Sequence, residues 1–175
     1  WEIPVGSRIS RGKPIVNLLN LGGDERIAAV VPVREFSDDH FLIFGTRLGV
    51  VKKSALSAYG NVRTVGLNAI NVAEGDELIE VHVTSGGDDI VMASRKGMAI
   101  RFREADARPM GRATAGVRGL RLKQGDEVVG MVVTHPDSTL LVVSENGLGK
   151  RTAVDAYRLQ KRGGSGVINL KTSAK

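Results

Sequence analysis

In the stretch Ile90-Val91-Met92-Ala93-Ser94-Arg95-Lys96-Gly97-Met98-Ala99-Ile100-Arg101-Phe102-Arg103 an apolar run leads into the charged turn Arg95-Lys96-Gly97, and after Gly97 apolar and polar positions alternate with a two-residue period. That pattern predicts two short strands around a charged turn. After the turn, Met98, Ile100 and Phe102 share one face while Ala99, Arg101 and Arg103 share the other. Such a hairpin buries an apolar row and turns cations to the opposite side. Taken singly it reads as a solvated sheet edge, where Arg and Lys block mispairing. The unit recurs, however. Leu42-Ile43-Phe44-Gly45-Thr46-Arg47-Leu48-Gly49-Val50-Val51-Lys52-Lys53 and Leu140-Leu141-Val142-Val143-Ser144-Glu145-Asn146-Gly147-Leu148-Gly149-Lys150-Arg151 align with it without gaps. Gly49, Gly97 and Gly147 are turn glycines, each followed four residues later by Lys53, Arg101 or Arg151. The third turn, Asn146-Gly147, is the strongest short hairpin signal because both residues tolerate positive φ.

Two further markers keep the same period. Gly23-Asp24-Glu25, Gly75-Asp76-Glu77 and Gly125-Asp126-Glu127 each precede an apolar strand, predicted over residues 26–33, 78–84 and 128–134. Gly66, Gly116 and Gly166 recur at fifty-residue intervals, each followed by an apolar residue. The unit therefore reads as a hairpin with a basic second strand, a glycine- and arginine-rich loop, a strand near the third glycine, a Gly-Asp-Glu turn and a final apolar strand. Helical periodicity is weak, with short turns expected near residues 54–59 and 152–158. The predicted fold class is all-β, a propeller-like partial array of about three to four blades built from four-stranded repeats of roughly fifty residues. As one repeat domain it divides into a partial repeat 1–39, whole repeats 40–87 and 88–138, and a partial repeat 139–175. A β-solenoid has a shorter period and a sandwich has no reason to repeat.

Composition narrows the chemistry. The chain of 175 residues has no cysteine, so a disulfide framework and a Cys-based zinc site are excluded. Its longest apolar run, residues 27–31 before Pro32, is far too short to span a bilayer, and no signal-peptide pattern opens it. Because it starts at Trp1 and its last repeat breaks off at Lys175, it reads as a piece of a larger protein. The net charge of +6 is unevenly spread. Residues 1–87 carry nine bases and ten acids, 88–125 nine and four, 126–144 none and three, and 145–175 seven and two. Two basic blocks about fifty residues apart suggest a polyanionic partner, with nucleic acid ahead of membrane because no long amphipathic helix accompanies them.

Catalysis finds little support. His40, His82 and His135 lack metal-ligand spacing, so no metal site is expected, and Asp38-Asp39 and Asp88-Asp89 precede hairpins as loop carboxylates. Gly147-Leu148-Gly149-Lys150 is followed by Arg151 rather than Ser or Thr, which rejects a phosphate loop of the nucleotide-binding kind. Tyr59 and Tyr157 sit near the ends of basic strands, where packing is the ordinary role. Two segments stand out. Arg112-Ala113-Thr114-Ala115-Gly116-Val117-Arg118-Gly119-Leu120-Arg121 alternates small residues with arginine, which suits bidentate phosphate contact. Gln160-Lys161-Arg162-Gly163-Gly164-Ser165-Gly166 offers glycines, exposed amides and two cations that could hold one phosphate. The expected polyanion contacts are Lys52, Lys53, Arg101, Arg103, Arg118, Arg121, Lys150, Arg151, Lys161 and Arg162, together with the box-like loop of Gln160, Gly163, Gly164 and Gly166.

The repeat pattern, with Gly12-Lys13-Pro14-Ile15-Val16-Asn17-Leu18-Leu19, Gly75-Asp76-Glu77-Leu78-Ile79, Gly116-Val117-Arg118-Gly119 and Asn146-Gly147-Leu148-Gly149-Lys150-Arg151-Thr152-Ala153-Val154, closely resembles the C-terminal domain of the bacterial DNA gyrase A subunit over essentially the whole chain. The resemblance implies a β-pinwheel whose basic rim binds and wraps double-stranded DNA without sequence preference, in support of negative supercoiling. It implies no catalysis and no cofactor in this segment, ATP and Mg belonging to other parts of an A2B2 complex with the gyrase B subunit. It implies a bacterial cytoplasmic protein with no membrane partner. The family's wrapping box reads Gln-Arg-Arg-Gly-Gly-(Lys or Arg)-Gly in the first repeat, whereas Gln160 to Gly166 resembles it in a late repeat, with Lys161 and Ser165 as departures. The alternatives are a propeller serving as a protein-interaction scaffold and the equivalent domain of the A-type subunit of topoisomerase IV.

Overall fold

A computed structural model of the chain describes residues 4–17, 19, 21–22, 25–63 and 65–172. The three alternating stretches form hairpins: β1 (Phe41–Thr46) with β2 (Val50–Ala55), β4 (Asp89–Ser94) with β5 (Met98–Arg103), and β8 (Thr139–Val143) with β9 (Gly149–Ala153). Their registers are equivalent, placing Phe44 opposite Lys52, Met92 opposite Ile100 and Val142 opposite Lys150. Strand β3 (Leu78–Thr84) returns to pair antiparallel with β1, and β7 (Val128–Thr134) does so with β4. The Gly-Asp-Glu turn is what ties that strand to its hairpin. Asp126 Oδ1 accepts the Lys96 and Glu127 amides, each at 2.9 Å, and Oδ2 accepts the Ser94 hydroxyl at 2.7 Å. Asp76 Oδ1 takes the Leu48 and Glu77 amides in the same way. Gly23 and Asp24 of the first such marker lie outside the described residues. The strand expected over residues 26–33 is not formed, and that segment joins none of the three sheets.

The fourth strand of each sheet comes from an unexpected source. The sequence pattern has strands β6 (Val117–Arg118) and β10 (Val167–Ile168), near the recurring glycines, completing their own repeats. Instead β6 pairs with β2 and β10 with β5, so each copy lends an edge strand to the preceding one. The sheet orders are β3-β1-β2-β6 and β10-β5-β4-β7, with β8-β9 a separate hairpin. Turn glycines anchor the exchange. Gly97 has φ +79°, its carbonyl accepts the Asn169 and Leu170 amides, and a Cβ there would overlap the Leu170 carbonyl oxygen. Gly49 does the same for Gly119 and Leu120. Residues 65–67 around Gly66 form no strand.

Short 3₁₀ turns follow each basic strand at Leu56–Tyr59, Glu104–Asp106 and Val154–Ala156. The first and third match the turns expected from the sequence. One core lies between the two sheets, where Ile43 and Val51 meet Ile90, Met92, Ile100, Phe102 and Met131. A second forms where Val91 and Ala99 meet Tyr157 and Leu140 of the next copy. Sheet β10-β5-β4-β7 is therefore covered on both faces, as parallel sheets more often are. The two sheets come together at the β3 and β7 side, where His82 Nε2 lies 3.0 Å from the Met131 carbonyl oxygen. Strands β6 and β10 form the opposite edge.

Candidate nucleic-acid interface

The strand cations do not share one surface. Lys52 and Lys53 are buried, at 0% and 3% exposure, and do not lie on the outer rim expected of them. The reason is the covered second face. A cation projecting from it meets the next repeat rather than water, and burial without a partner is costly. Lys53 Nζ sits 2.7 Å from Glu104 Oε1 and 3.9 Å from the centre of the Phe41 ring. Glu104 is itself fully engaged: Oε1 accepts the Thr84 hydroxyl at 2.6 Å, and Oε2 accepts the Gly86 amide at 3.0 Å. Arg101 holds the equivalent place on β5 and is also neutralised. Its Nε and Nη2 lie 2.8 and 2.6 Å from Asp89 Oδ2, and Nη1 donates to the carbonyls of Val154 and Tyr157. The aligned cations at these two positions are thus junction residues between repeats. Arg151, third in the series, stands opposite Leu141 and is exposed, because nothing described covers that face of β9, where Leu141 and Val143 are 65% and 59% exposed.

Lys52 projects toward the preceding side, where its ammonium donates to the carbonyls of Ala69 and Arg112 and lies 5.3 Å from the Phe44 ring centre. Desolvation, with the Arg112 guanidinium nearby, lowers its pKa from 10.5 to about 8. An unfolded lysine keeps its proton to the higher value, so between these two pH values the unfolded state binds more protons and stability rises with pH. The expected result is a urea midpoint that climbs from pH 8 to pH 10 in the native chain more steeply than in Lys52→Met. Equal slopes in the two proteins would contradict this assignment.

The box-like loop is also partly structural. The Gln160 amide donates to the Arg101 carbonyl at 2.9 Å and the Gly163 amide to the Gly119 carbonyl at 2.6 Å, so these two N–H groups are not available to an anion. Gly166, at φ +75°, packs so closely on β5 that a Cβ would overlap the Ala99 carbonyl oxygen. Gly164 lies against Ile100, and a Cβ there would be 3.4 Å from its Cδ1. Gln160 is half-buried, its Nε2 without a partner among the described residues. Arg162 acts as a staple, with Nε 2.8 Å from the Asp106 carbonyl oxygen and Nη1 3.1 Å from that of Arg118.

What remains exposed is smaller than the predicted set. Arg118 on edge strand β6 is exposed and flanks Gly163, while Arg121, whose amide donates to the Gly164 carbonyl at 2.8 Å, and Lys161 are exposed beside it. Arg103 is exposed at the end of β5, and Lys150 and Arg151 are exposed on β9. None of these six forms an ion pair among the described residues. The turn arginines differ, since Arg47 and Arg95 both bind Glu127, whose carboxyl these guanidiniums hold below the usual carboxylate range. Sequence reasoning missed Arg108 and Arg158, exposed and fifty residues apart just before the segments that run beside β2 and β5. That spacing was the signal that would have found them.

A family model described as "DNA gyrase C-terminal domain, beta-propeller" matches four successive segments, residues 1–34, 40–85, 88–135 and 138–175. The chain belongs to this family. It is 53% identical over 175 residues to the DNA gyrase A subunit of Clostridium acetobutylicum, a match covering 100% of the chain and 21% of that protein. With the DNA gyrase A subunit of Salmonella typhimurium the identity is 42% over 173 residues, covering 99% and 20%. The chain thus spans about a fifth of the length of the curated relatives it matches. Among solved structures, the C-terminal domain of DNA topoisomerase IV superimposes with a TM-score of 0.84 at 30% identity, covering 90% of this chain and 49% of that one. The DNA gyrase A C-terminal domain does so with a TM-score of 0.77 at 29% identity, covering 88% and 51%. The fold is accordingly the β-pinwheel, and the strand-exchanging sheets are its blades. Both solved domains share that architecture, and the sequence relatives assign the chain to the gyrase A side. The chain is thus a gyrase C-terminal domain, similar over its whole length to part of the DNA gyrase A subunits.

Proposed function

We propose that this domain binds double-stranded DNA along its outer edge and bends it, as the wrapping element of a gyrase. The observation that carries the reading is the cluster of Arg118, Arg121 and Lys161 at the β6 edge, exposed and without carboxylate partners among the described residues. Arg103, Lys150 and Arg151 are further exposed cations available to phosphate, and Arg162 positions the loop rather than contacting phosphate first. Guanidinium and ammonium groups on strand edges and loops suit phosphate, and no α-helix is present among the described residues to read base edges in a groove. Smoothly bending 20–30 bp through 40–90° costs about 1–6 kcal/mol, which several phosphate contacts offset. Sequence tolerance with a preference for deformable steps follows. The reading takes the chain as one repeat array divided near residues 39, 87 and 138, needing no cofactor of its own. Its partners are then gyrase B and the rest of the gyrase A polypeptide in a bacterial cytoplasm.

The test is the salt dependence of binding to a short duplex. With about six phosphates neutralised, affinity is expected to fall roughly a thousandfold between 50 and 200 mM salt, and Arg118→Gln to reduce the logarithmic slope by about 0.9. A slope near zero would contradict DNA binding and favour a protein-interaction scaffold.

A further inference from the structure

The recurring glycine loop behaves differently in its first copy. In the second and third copies it is pressed onto a strand: a Cβ at Gly116 would lie 2.7 Å from the Val51 carbonyl oxygen, and one at Gly166 would overlap that of Ala99. Gly66, at φ +79°, has nothing within 4 Å of such a Cβ. The space left between this loop and the next is a cleft of about 320 Å³, lined by Arg63, Gly66, Leu67, Asn68, Arg112 and Ala113 among others.

The charge in this cleft is one-sided. No carboxylate lines it, and neither Arg63 nor Arg112 has an ion-pair partner among the described residues. The acceptors of the loop that carries Arg112 are already taken. The Arg112 carbonyl receives the buried Lys52 ammonium, the Ala113 carbonyl receives Asn71 Nδ2 at 3.0 Å, and the Thr114 carbonyl receives the Asn71 amide at 3.1 Å. Two guanidiniums with an ammonium behind them, and no unpaired carbonyl from residues 112–114, form a setting that an anion relieves.

We propose that the cleft between Arg63 and residues 65–68 on one side and residues 112–113 on the other holds a phosphate group through Arg63 and Arg112, and that on bound DNA this group is a backbone phosphodiester. The second half rests on the wrapping function proposed above. The cleft then fixes where the duplex enters the junction between two repeats, a role that none of the predicted strand cations fills. A phosphate here also offsets the repulsion between Arg112 and Lys52, so its occupancy raises the titration point of Lys52 above about 8.

Two measurements on the 175-residue chain test this. In the first, inorganic phosphate is titrated at fixed ionic strength against chloride while amide and lysine signals are followed by NMR. Saturable shifts at Gly66, Leu67 and Ala113 and a raised Lys52 pKa are expected, both lost in Arg63→Gln/Arg112→Gln. In the second, duplex affinity is measured against salt, with the logarithmic slope expected to fall by about 0.9 in Arg112→Gln. Thermal melts of the variants keep folding separate, since the substitutions leave the Arg112 carbonyl in place for Lys52. If Arg118→Gln lowers the slope while Arg63→Gln and Arg112→Gln do not, the cleft is not a phosphodiester site and the wrapping function stands. If no variant or native protein binds duplex although phosphate shifts the cleft signals, the DNA source is overturned together with that function. Absence of any saturable phosphate shift, with the slope unchanged in both arginine variants, overturns the site itself.

Discussion

Glu104→Ala is expected to remove a large part of the stability of the domain. The substitution leaves the Lys53 ammonium at 3% exposure with its carboxylate gone and strips the Thr84 hydroxyl and Gly86 amide of their acceptor. Breaking a buried ion pair by removing one partner costs about 3–5 kcal/mol, against a total of roughly 5–15 kcal/mol for a typical domain. Urea unfolding followed by circular dichroism reads the loss directly. Lys53→Met with Glu104→Leu is expected to recover part of it, because the uncompensated charge is then absent. A midpoint unchanged in Glu104→Ala would contradict the junction role. The same geometry separates two kinds of charge reversal: Lys53→Glu or Arg101→Glu weakens DNA binding by disturbing folding, whereas Arg118→Glu weakens it at the surface.

Gly97→Ala is expected to cost about 2–5 kcal/mol, combining left-handed backbone strain with forced displacement of packed backbone. The added methyl would overlap the Leu170 carbonyl oxygen at the point where Gly97 receives the Asn169 and Leu170 amides. Since those bonds hold the residues that follow β10 against the turn before β5, hydrogen exchange at Val167, Asn169 and Leu170 is expected to accelerate before the rest of the sheet opens. Gly147 provides the internal comparison. Its φ is also +79°, yet nothing lies within 4 Å of a Cβ there, so Gly147→Ala is expected to cost only the backbone strain of about 1–2 kcal/mol. Equal losses in the two variants would show that strain, rather than the docking of the next repeat, governs both.

Much of the fold was legible because its signals are local. Alternation, turn glycines and Gly-Asp-Glu turns each fix a few residues, and they located the three hairpins together with β3 and β7. The two-residue strands β6 and β10 could be seen as apolar positions after a glycine, but their partner lies one repeat back, which no local pattern encodes. The error over Lys52, Lys53 and Arg101 has the same origin. Alternation says that two faces differ and leaves open that the polar one is covered by a neighbour. Glu104 could not be matched to Lys53 through the repeat, because its counterpart fifty residues on is Val154, and Arg101 finds Asp89 within its own hairpin instead. That Arg118, Arg121 and Lys161 are exposed was legible for a simpler reason. They flank glycine-rich loops on an edge, where polar side chains meet solvent without needing a partner.

Ligation of a nicked circular duplex saturated with the chain, followed by deproteinisation and gel separation of topoisomers, tests the wrapping claim most directly. The distribution is expected to shift away from that of DNA ligated alone, and Arg118→Glu/Arg121→Glu/Lys161→Glu is expected to abolish the shift while leaving the thermal melt unchanged. An unshifted distribution at full occupancy of the DNA would contradict wrapping by this domain.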